Sequence, residues 1–252
     1  MKKLIIASAV LFSISSQYAL ANNYKTTIEY RHQYLDASGK SGDRIKAFLD
    51  TGKNIGFELD ARYGNKDGAY DAMKIDGSEF SAFYYTKLNP NLVGLVGASL
   101  DFDKLGLVYV PYVRLNYTFD NGIRLQGRYK WKVWDYGQVG ENGSNYHSKI
   151  QEFDSWIGYK WGNLDLQYQL DLMWEMADNA QPLYNDKKFD YQHNVRLRYD
   201  IKADDGALWR PFVEVGNVKE NRFSSDCQTR FRVGYSIYLV ISFSYKYIFA
   251  HE

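Results

Sequence analysis

Three stretches of the chain alternate apolar and polar side chains with a strict period of two, and this pattern excludes a helix for them. Ile123, Leu125, Gly127, Tyr129, Trp131 and Val133 fall on one face of an extended chain, and Arg124, Gln126, Arg128, Lys130 and Lys132 fall on the other. Leu164, Leu166, Tyr168, Leu170, Leu172 and Trp174 likewise oppose Asp165, Gln167, Gln169, Asp171 and Glu175. Phe189, Tyr191, Val195, Leu197 and Tyr199 oppose Asp190, Gln192, Asn194, Arg196, Arg198 and Asp200. On a helix these sets would be scattered around the circumference. As strands, they present one face suited to lipid or a core and one suited to water.

Weaker alternations cover residues 24–34, 43–51, 54–63, 78–88, 91–101, 107–119, 150–161, 207–218 and 228–239, which brings the expected strands to twelve. Between them, short turns such as Thr51-Gly52-Lys53-Asn54, Asn89-Pro90-Asn91, Asp120-Asn121-Gly122, Gly162-Asn163 and Lys202 to Gly206 alternate with longer stretches. The longer ones lie near 35–42, 64–77, 102–106, 135–149, 176–187 and 219–227. Strict alternation of turn and loop predicts an all-β fold, a twelve-stranded antiparallel transmembrane β-barrel with short periplasmic turns and longer external loops. A soluble sandwich or lipocalin-type barrel has no need of that alternation.

The two ends of the chain read differently from its middle. Lys2 and Lys3 precede the apolar run Leu4 to Ile14, and Ala19-Leu20-Ala21 supplies a small-x-small cleavage pattern, so residues 1–21 are expected to be a secretory signal peptide. The run is about half the length a spanning helix needs. Residues 22–252 are expected to form one domain. At the other end, odd positions from Phe231 to Phe249 keep one apolar face for far longer than one strand needs to cross a bilayer. Either the closing strand ends near Tyr238, with about 240–252 as an atypical extension, or its register slips so that Phe243 or Phe249 takes the terminal aromatic position.

Composition supports a barrel with a polar interior: 23 Tyr, 6 Trp and 14 Phe accompany a mean hydropathy of only −0.48, as aromatic girdles around a wet lumen would give. The single cysteine, Cys227, cannot form an internal disulfide, and no Cys/His spacing suggests a metal or haem site, so no cofactor is expected. A net charge of +1 gives no support to nucleic-acid binding.

Tyr30-Arg31-His32, Asp43-Arg44-Ile45-Lys46, Pro111-Tyr112-Val113-Arg114-Leu115, Phe119-Asp120-Asn121-Gly122-Ile123 and Gln228-Thr229-Arg230-Phe231-Arg232-Val233-Gly234 together resemble the oligogalacturonate-specific (KdgM-type) porins. The resemblance runs through nearly the whole mature chain. It implies a small, monomeric twelve-stranded barrel in outer-membrane lipid and lipopolysaccharide that admits acidic oligosaccharides; the family includes a channel specialised for sialic acid. Chains of that family end a few residues beyond the position of Gly234, whereas this one continues to Glu252.

Read from the residues themselves, the polar faces carry a substrate and ion pathway in two basic arcs. Arg114, Arg124, Arg128, Lys130 and Lys132 form the first, and Arg196, Arg198, Arg210, Arg230 and Arg232 the second. Acidic residues gather elsewhere in the chain, at Glu58, Asp60 and Glu79 and at Glu152, Asp154, Asp165, Asp171 and Glu175. In a ring of twelve strands the two arcs are expected to lie roughly opposite each other. Arginine grips carboxylates in bidentate fashion and stays charged at any working pH, and basic rings select for anions. The bland alternative is a solvated wall of mutually paired charges. Enzymatic barrels form a competing class, for which His147 with Ser144 and Ser148, or Asp186 with Asp190, are thin candidates. An adhesin or structural barrel without a pore is a third class, and conductance separates it from a channel.

Overall fold

The computed structural model describes residues 23–65, 73–204 and 206–242, so the expected signal peptide and residues 243–252 lie outside the described residues. Twelve long strands follow one another: β1 (Asn23–Leu35), β2 (Ser41–Asp50), β3 (Ile55–Asn65), β4 (Lys74–Asn89), β5 (Leu92–Phe102) and β6 (Leu107–Thr118). They continue with β7 (Ile123–Trp134), β8 (Lys149–Trp161), β9 (Leu164–Glu175), β10 (Phe189–Tyr199), β11 (Leu208–Lys219) and β12 (Cys227–Ser242). Each pairs antiparallel with its predecessor, and β12 returns to β1 from Asn23↔Ser242 to Leu35↔Arg230. Closure leaves no sheet edge, which is what lets a sheet sit in lipid with every backbone group paired.

The two faces are the inverse of a water-soluble protein. Outward-pointing Val96, Val113, Val213 and Val233 are each 52–55 % exposed, while inward-pointing Asp60, Asp154 and Glu214 are buried. Apolar side chains on the outside and charge on the inside fit a barrel bathed in hydrocarbon. Outward aromatic side chains stand near both strand ends. Tyr84, Tyr159, Trp161, Tyr199 and Trp209 lie toward one rim, and Tyr34, Tyr109, Trp131 and Phe231 lie toward the other.

At one end the strands are joined by residues 51–54, 90–91, 119–122, 162–163 and 200–207, the last carrying the two-residue strand Ile201–Lys202 against β11. Gly162, at φ +59, supplies the left-handed residue that a two-residue hairpin needs. The opposite end carries the connections 36–40, 103–106, 135–148, 176–188 and 220–226, and β3 ends and β4 begins there. One of these departs from the expected pattern: 103–106 is as tight as the turn 119–122. Its tightness has a local cause, because the Asp103 carboxylate accepts the Leu105 and Gly106 amides at 2.8 and 2.9 Å.

Two boundaries also differ from the sequence expectation. β4 begins at Lys74, four residues before the expected start, because a bulge between Arg62 and Tyr63 lets Tyr63 and Gly64 pair with Ile75 and Lys74. β12 runs past Tyr238, and Leu239 to Ser242 pair with Thr26 to Asn23. The start of the presumed extension is therefore strand, since β1 reaches far enough toward the short-turn end to offer it partners.

Candidate functional site

Strand register decides which charges meet inside the barrel, and it places an acid beside almost every base of the first arc. Arg128 lies opposite Asp154 and Lys130 opposite Glu152 on the β7–β8 ladder. Arg128 is bonded to Asp154 at 2.7 Å, Lys130 to Glu152 at 2.6 Å and to Asp154 at 3.0 Å, and Lys132 to Glu152 at 2.5 Å. Arg124 pairs with Asp165. The acids expected to gather elsewhere are thus direct neighbours of the bases, since hairpins bring sequence-distant rungs side by side. Arg114, on β6, is the member of this arc with amide partners instead: it donates to Asn116 at 2.7 Å and Gln126 at 2.6 Å. Its guanidinium lies 5.2 Å from the centre of the Trp156 ring, and that of Arg128 lies 5.4 Å from the same ring.

The second arc spans β10, β11 and β12. Arg196 binds Glu214 at 2.7 Å and approaches Glu29 at 3.8 Å, and Arg232 shares Glu214. Arg198 binds Asp165 at 2.5 Å, Arg210 binds Asp200 at 3.1 Å, and Arg230 donates to the Asn194 side chain at 2.7 Å. The two arcs are not diametrically opposed. Only β8 and β9 separate β7 from β10, whereas β1 to β5 separate β12 from β6. The narrow gap is the acidic one, and Asp165 within it touches both arcs.

Sequence reasoning missed basic residues that extend the second arc. Arg31 on β1 faces Arg44 on β2, which in turn faces Arg62 on β3, so three arginines occupy one continuous rung. Lys46 lies on the same face as Arg44 and binds Glu58 at 2.7 Å. The signal was obscured because the outward positions here are themselves polar. Tyr30 and His32 both contact the Asp43 carboxylate, at 2.6 and 3.0 Å, on the lipid-facing side. With polar residues on both faces, alternation does not reveal which side is wet.

A second part of the lumen wall is apolar. Phe48 and Phe83 stack with ring centres 5.7 Å apart, and Gly56 leaves the space that the Phe83 ring occupies. Val93 and Leu95 share this inward face on β5 through their pairing with Lys87 and Tyr85. Val108 and Val110 on β6 are buried inside as well.

The loop end is tied into one layer. Glu175 accepts the Ser148 hydroxyl, the Lys149 amide at 3.0 Å and the Ala177 amide at 2.9 Å, which fastens loop 135–148 to loop 176–188. Tyr136 donates to Asp103 across the neighbouring loop. Burial pushes the Asp103 carboxyl up, but the hydrogen bonds from Tyr136, Leu105 and Gly106 outweigh it and hold it below the ordinary aspartate range. The Tyr184 hydroxyl lies 3.2 Å from Cys227 Sγ, a free and exposed thiol at the start of β12. That contact, together with the slight burial, pushes the Tyr184 hydroxyl above its usual value.

His147, Ser144, Ser148 and Asp190, considered for catalysis, are engaged with other partners. His147 Nδ1 lies 3.2 Å from the Trp134 carbonyl, while Ser144 and Ser148 donate to Asn142 and Glu175. Asp190 is paired with Lys219 at 2.7 Å.

A model of the oligogalacturonate-specific porin family matches residues 16–239. An uncharacterized protein, YiiY, of Salmonella typhimurium is 30 % identical over 220 residues, covering 85 % of this chain and 91 % of its own. The oligogalacturonate-specific porin KdgM of Dickeya dadantii is 28 % identical over 243 residues, covering 92 % and 97 %. Among solved structures, the NanC porin superposes with a TM-score of 0.71 at 17 % identity, over 83 % of this chain and 98 % of that one. KdgM in complex with disordered oligogalacturonate superposes with a TM-score of 0.59 at 24 % identity, over 83 % and 97 %. Closed barrel, inverted faces and family match agree, and the chain belongs to the oligogalacturonate-specific porin family of outer-membrane channels.

Proposed function

We propose that this channel admits acidic oligosaccharides, oligogalacturonates or other anionic sugars, by passive diffusion and without catalysis. The observation that carries the reading is the continuous run of inward arginines from β10 through β12 to β3, where basic groups outnumber the acids beside them. Eight-stranded barrels are filled by side chains and those of sixteen strands hold an open channel, so at twelve the lumen side chains decide what passes. Relatives support the sugar class, since the Dickeya protein is an oligogalacturonate-specific porin and its structure carries that ligand.

The barrel works as a monomer in lipopolysaccharide-containing membrane, and it reaches that membrane after removal of residues 1–21. Proteoliposomes carrying the purified barrel test the sugar class directly. Trigalacturonate should enter faster than maltotriose, a neutral trisaccharide of similar size. Equal rates, or faster entry of the neutral sugar, would remove the basis for an acidic substrate.

A further inference from the structure

We propose that the lipid-facing side of the barrel holds one phosphorylated glycolipid of the outer leaflet, with a phosphate at Lys149 and an acyl chain seated in a groove at Gly127 and Ser155. Such a site is independent of what passes through the lumen, and it needs only that the loop end face the cell exterior.

The outer wall has a gap. Gly127 on β7 lies between Leu115 on β6 and Ser155 on β8, all three on the outward face. With no side chain at Gly127 and a short one at Ser155, the surface sinks into a groove of about 710 Å³ walled by Leu115, Tyr129, Phe153 and Ile157. Nothing within the barrel demands glycine at this position. At Gly97 and Gly234 a Cβ would stand 2.7 Å from the rings of Tyr112 and Phe212, so those glycines make room for a neighbour. At Gly127 a Cβ would lie 3.5 Å from the Phe153 ring, an ordinary contact, within the regular β7–β8 ladder. A strand glycine of this kind marks a place where something from outside comes close to the backbone. The groove suits hydrocarbon, because the Ser155 hydroxyl at its floor already donates to the Leu170 carbonyl at 3.1 Å.

Charge and depth select the occupant. Lys149 stands exposed at the loop end of β8, in one outward column with Gln151, Phe153 and Ser155. Among the described residues its ammonium makes no ion pair or hydrogen bond. The stretch from Lys149 to Ser155 covers about 20 Å of strand, which a tilt of about 40° turns into about 15 Å of depth. Half of a hydrocarbon core is also about 15 Å. A lipid whose phosphate meets Lys149 therefore brings the end of an acyl chain to Gly127. Gln151, one step below Lys149, pairs with Trp131 on one side and Trp174 on the other, so two outward indoles flank this path where headgroup meets hydrocarbon. The leaflet that faces the cell exterior is built from a phosphorylated glycolipid, which supplies both the anion and the chain. A second copy of the barrel fits less well, because Asp43, an outward carboxylate near the loop end, is already held by Tyr30 and His32.

The test is native mass spectrometry of the full barrel in detergent, titrated with bisphosphorylated lipid A and compared among wild type, Lys149→Gln, Gly127→Leu and an outward control on β12, Val233→Leu. Wild type should retain a single lipid A. Lys149→Gln should bind it about tenfold more weakly, the loss expected of one charge-assisted hydrogen bond. Lipid A stripped of its phosphates should bind wild type no better than that. Gly127→Leu should weaken binding severalfold by filling the groove, while Val233→Leu stays within about twofold of wild type. If Gly127→Leu fails to assemble, Ser155→Val fills the same groove and carries the test. Equal retention of lipid A by a folded groove variant, or retention of phosphatidylglycerol as firm as that of lipid A by wild type, would overturn the proposal. A dimer mass that disappears in Gly127→Leu would also overturn it, by giving the groove to a second copy.

Discussion

Arg124 on β7 and Arg198 on β10 donate to opposite oxygens of one carboxylate, Asp165 on β9. This aspartate, buried between them, joins the two basic walls of the lumen near the short-turn end. Fixed charge in a narrow passage is screened less than in bulk water, so the state of this one group bears on both walls at once.

Replacing it therefore has two expected effects. Asp165→Asn leaves two guanidinia with a neutral partner, and it should cost about 1–3 kcal/mol of barrel stability. It should also raise anion preference by removing one negative charge from the pathway. Urea unfolding in detergent micelles, read by tryptophan fluorescence, gives the first quantity. An unchanged midpoint together with unchanged selectivity would show that the bridge has no role.

Cys227 opens β12 at the loop end, exposed and free, with the Tyr184 hydroxyl against its sulfur. On whole cells a membrane-impermeant maleimide should label it, and Tyr184→Phe should speed labelling by removing that contact. Labelling only after the membrane is broken would place this rim on the other side.

The Asp103 to Tyr136 contact between neighbouring loops is expected to depend on pH. The folded-state value of Asp103 is depressed below its reference of 3.8. Its contribution is therefore complete above that reference and is lost as pH falls through the lower folded value. Protection of the residue 103–106 amides, taken relative to their intrinsic exchange at each pH, should be high at pH 6 and fall below about pH 4. Tyr136→Phe should lower the protection at pH 6 and leave the part that the Leu105 and Gly106 amides owe to Asp103 still dependent on pH. Equal protection at both pH values in the wild type would mean that the backbone turn alone holds the loop.

Much of the fold was legible because three strands, β7, β9 and β10, separate lipid and water faces with only a few positions, such as Met173 and His193, out of pattern. β5 was harder for a physical reason. Leu92, Gly94 and Val96 point outward while Val93, Leu95 and Gly97 point inward, so apolar side chains stand on both faces. The site was less legible than the fold. Residues of both arcs were identifiable as inward-facing, but a sequence does not display the register that sets Asp154 against Arg128 or Asp165 between Arg124 and Arg198. Arg31 and Arg44 escaped because Tyr30, His32 and Asp43 put polar groups on the outer side of the same strands.

The closing strand offers a test of the barrel seam. Leu239, Val240, Ile241 and Ser242 pair with Thr26, Lys25, Tyr24 and Asn23. A stop codon after Tyr238 strips those partners from β1, and the truncated barrel should unfold at a lower temperature on heat-modifiability gels. Full retention of the transition would show that the seam closes without them.

The central claim, a lumen whose uncompensated arginines favour anions, is tested most directly by the zero-current potential of the purified barrel in a planar bilayer under a tenfold potassium chloride gradient. The account predicts a potential whose sign reports chloride as the more permeant ion, moving toward zero in Arg31→Gln. A potential of zero, or one reporting potassium as the more permeant ion, would contradict it.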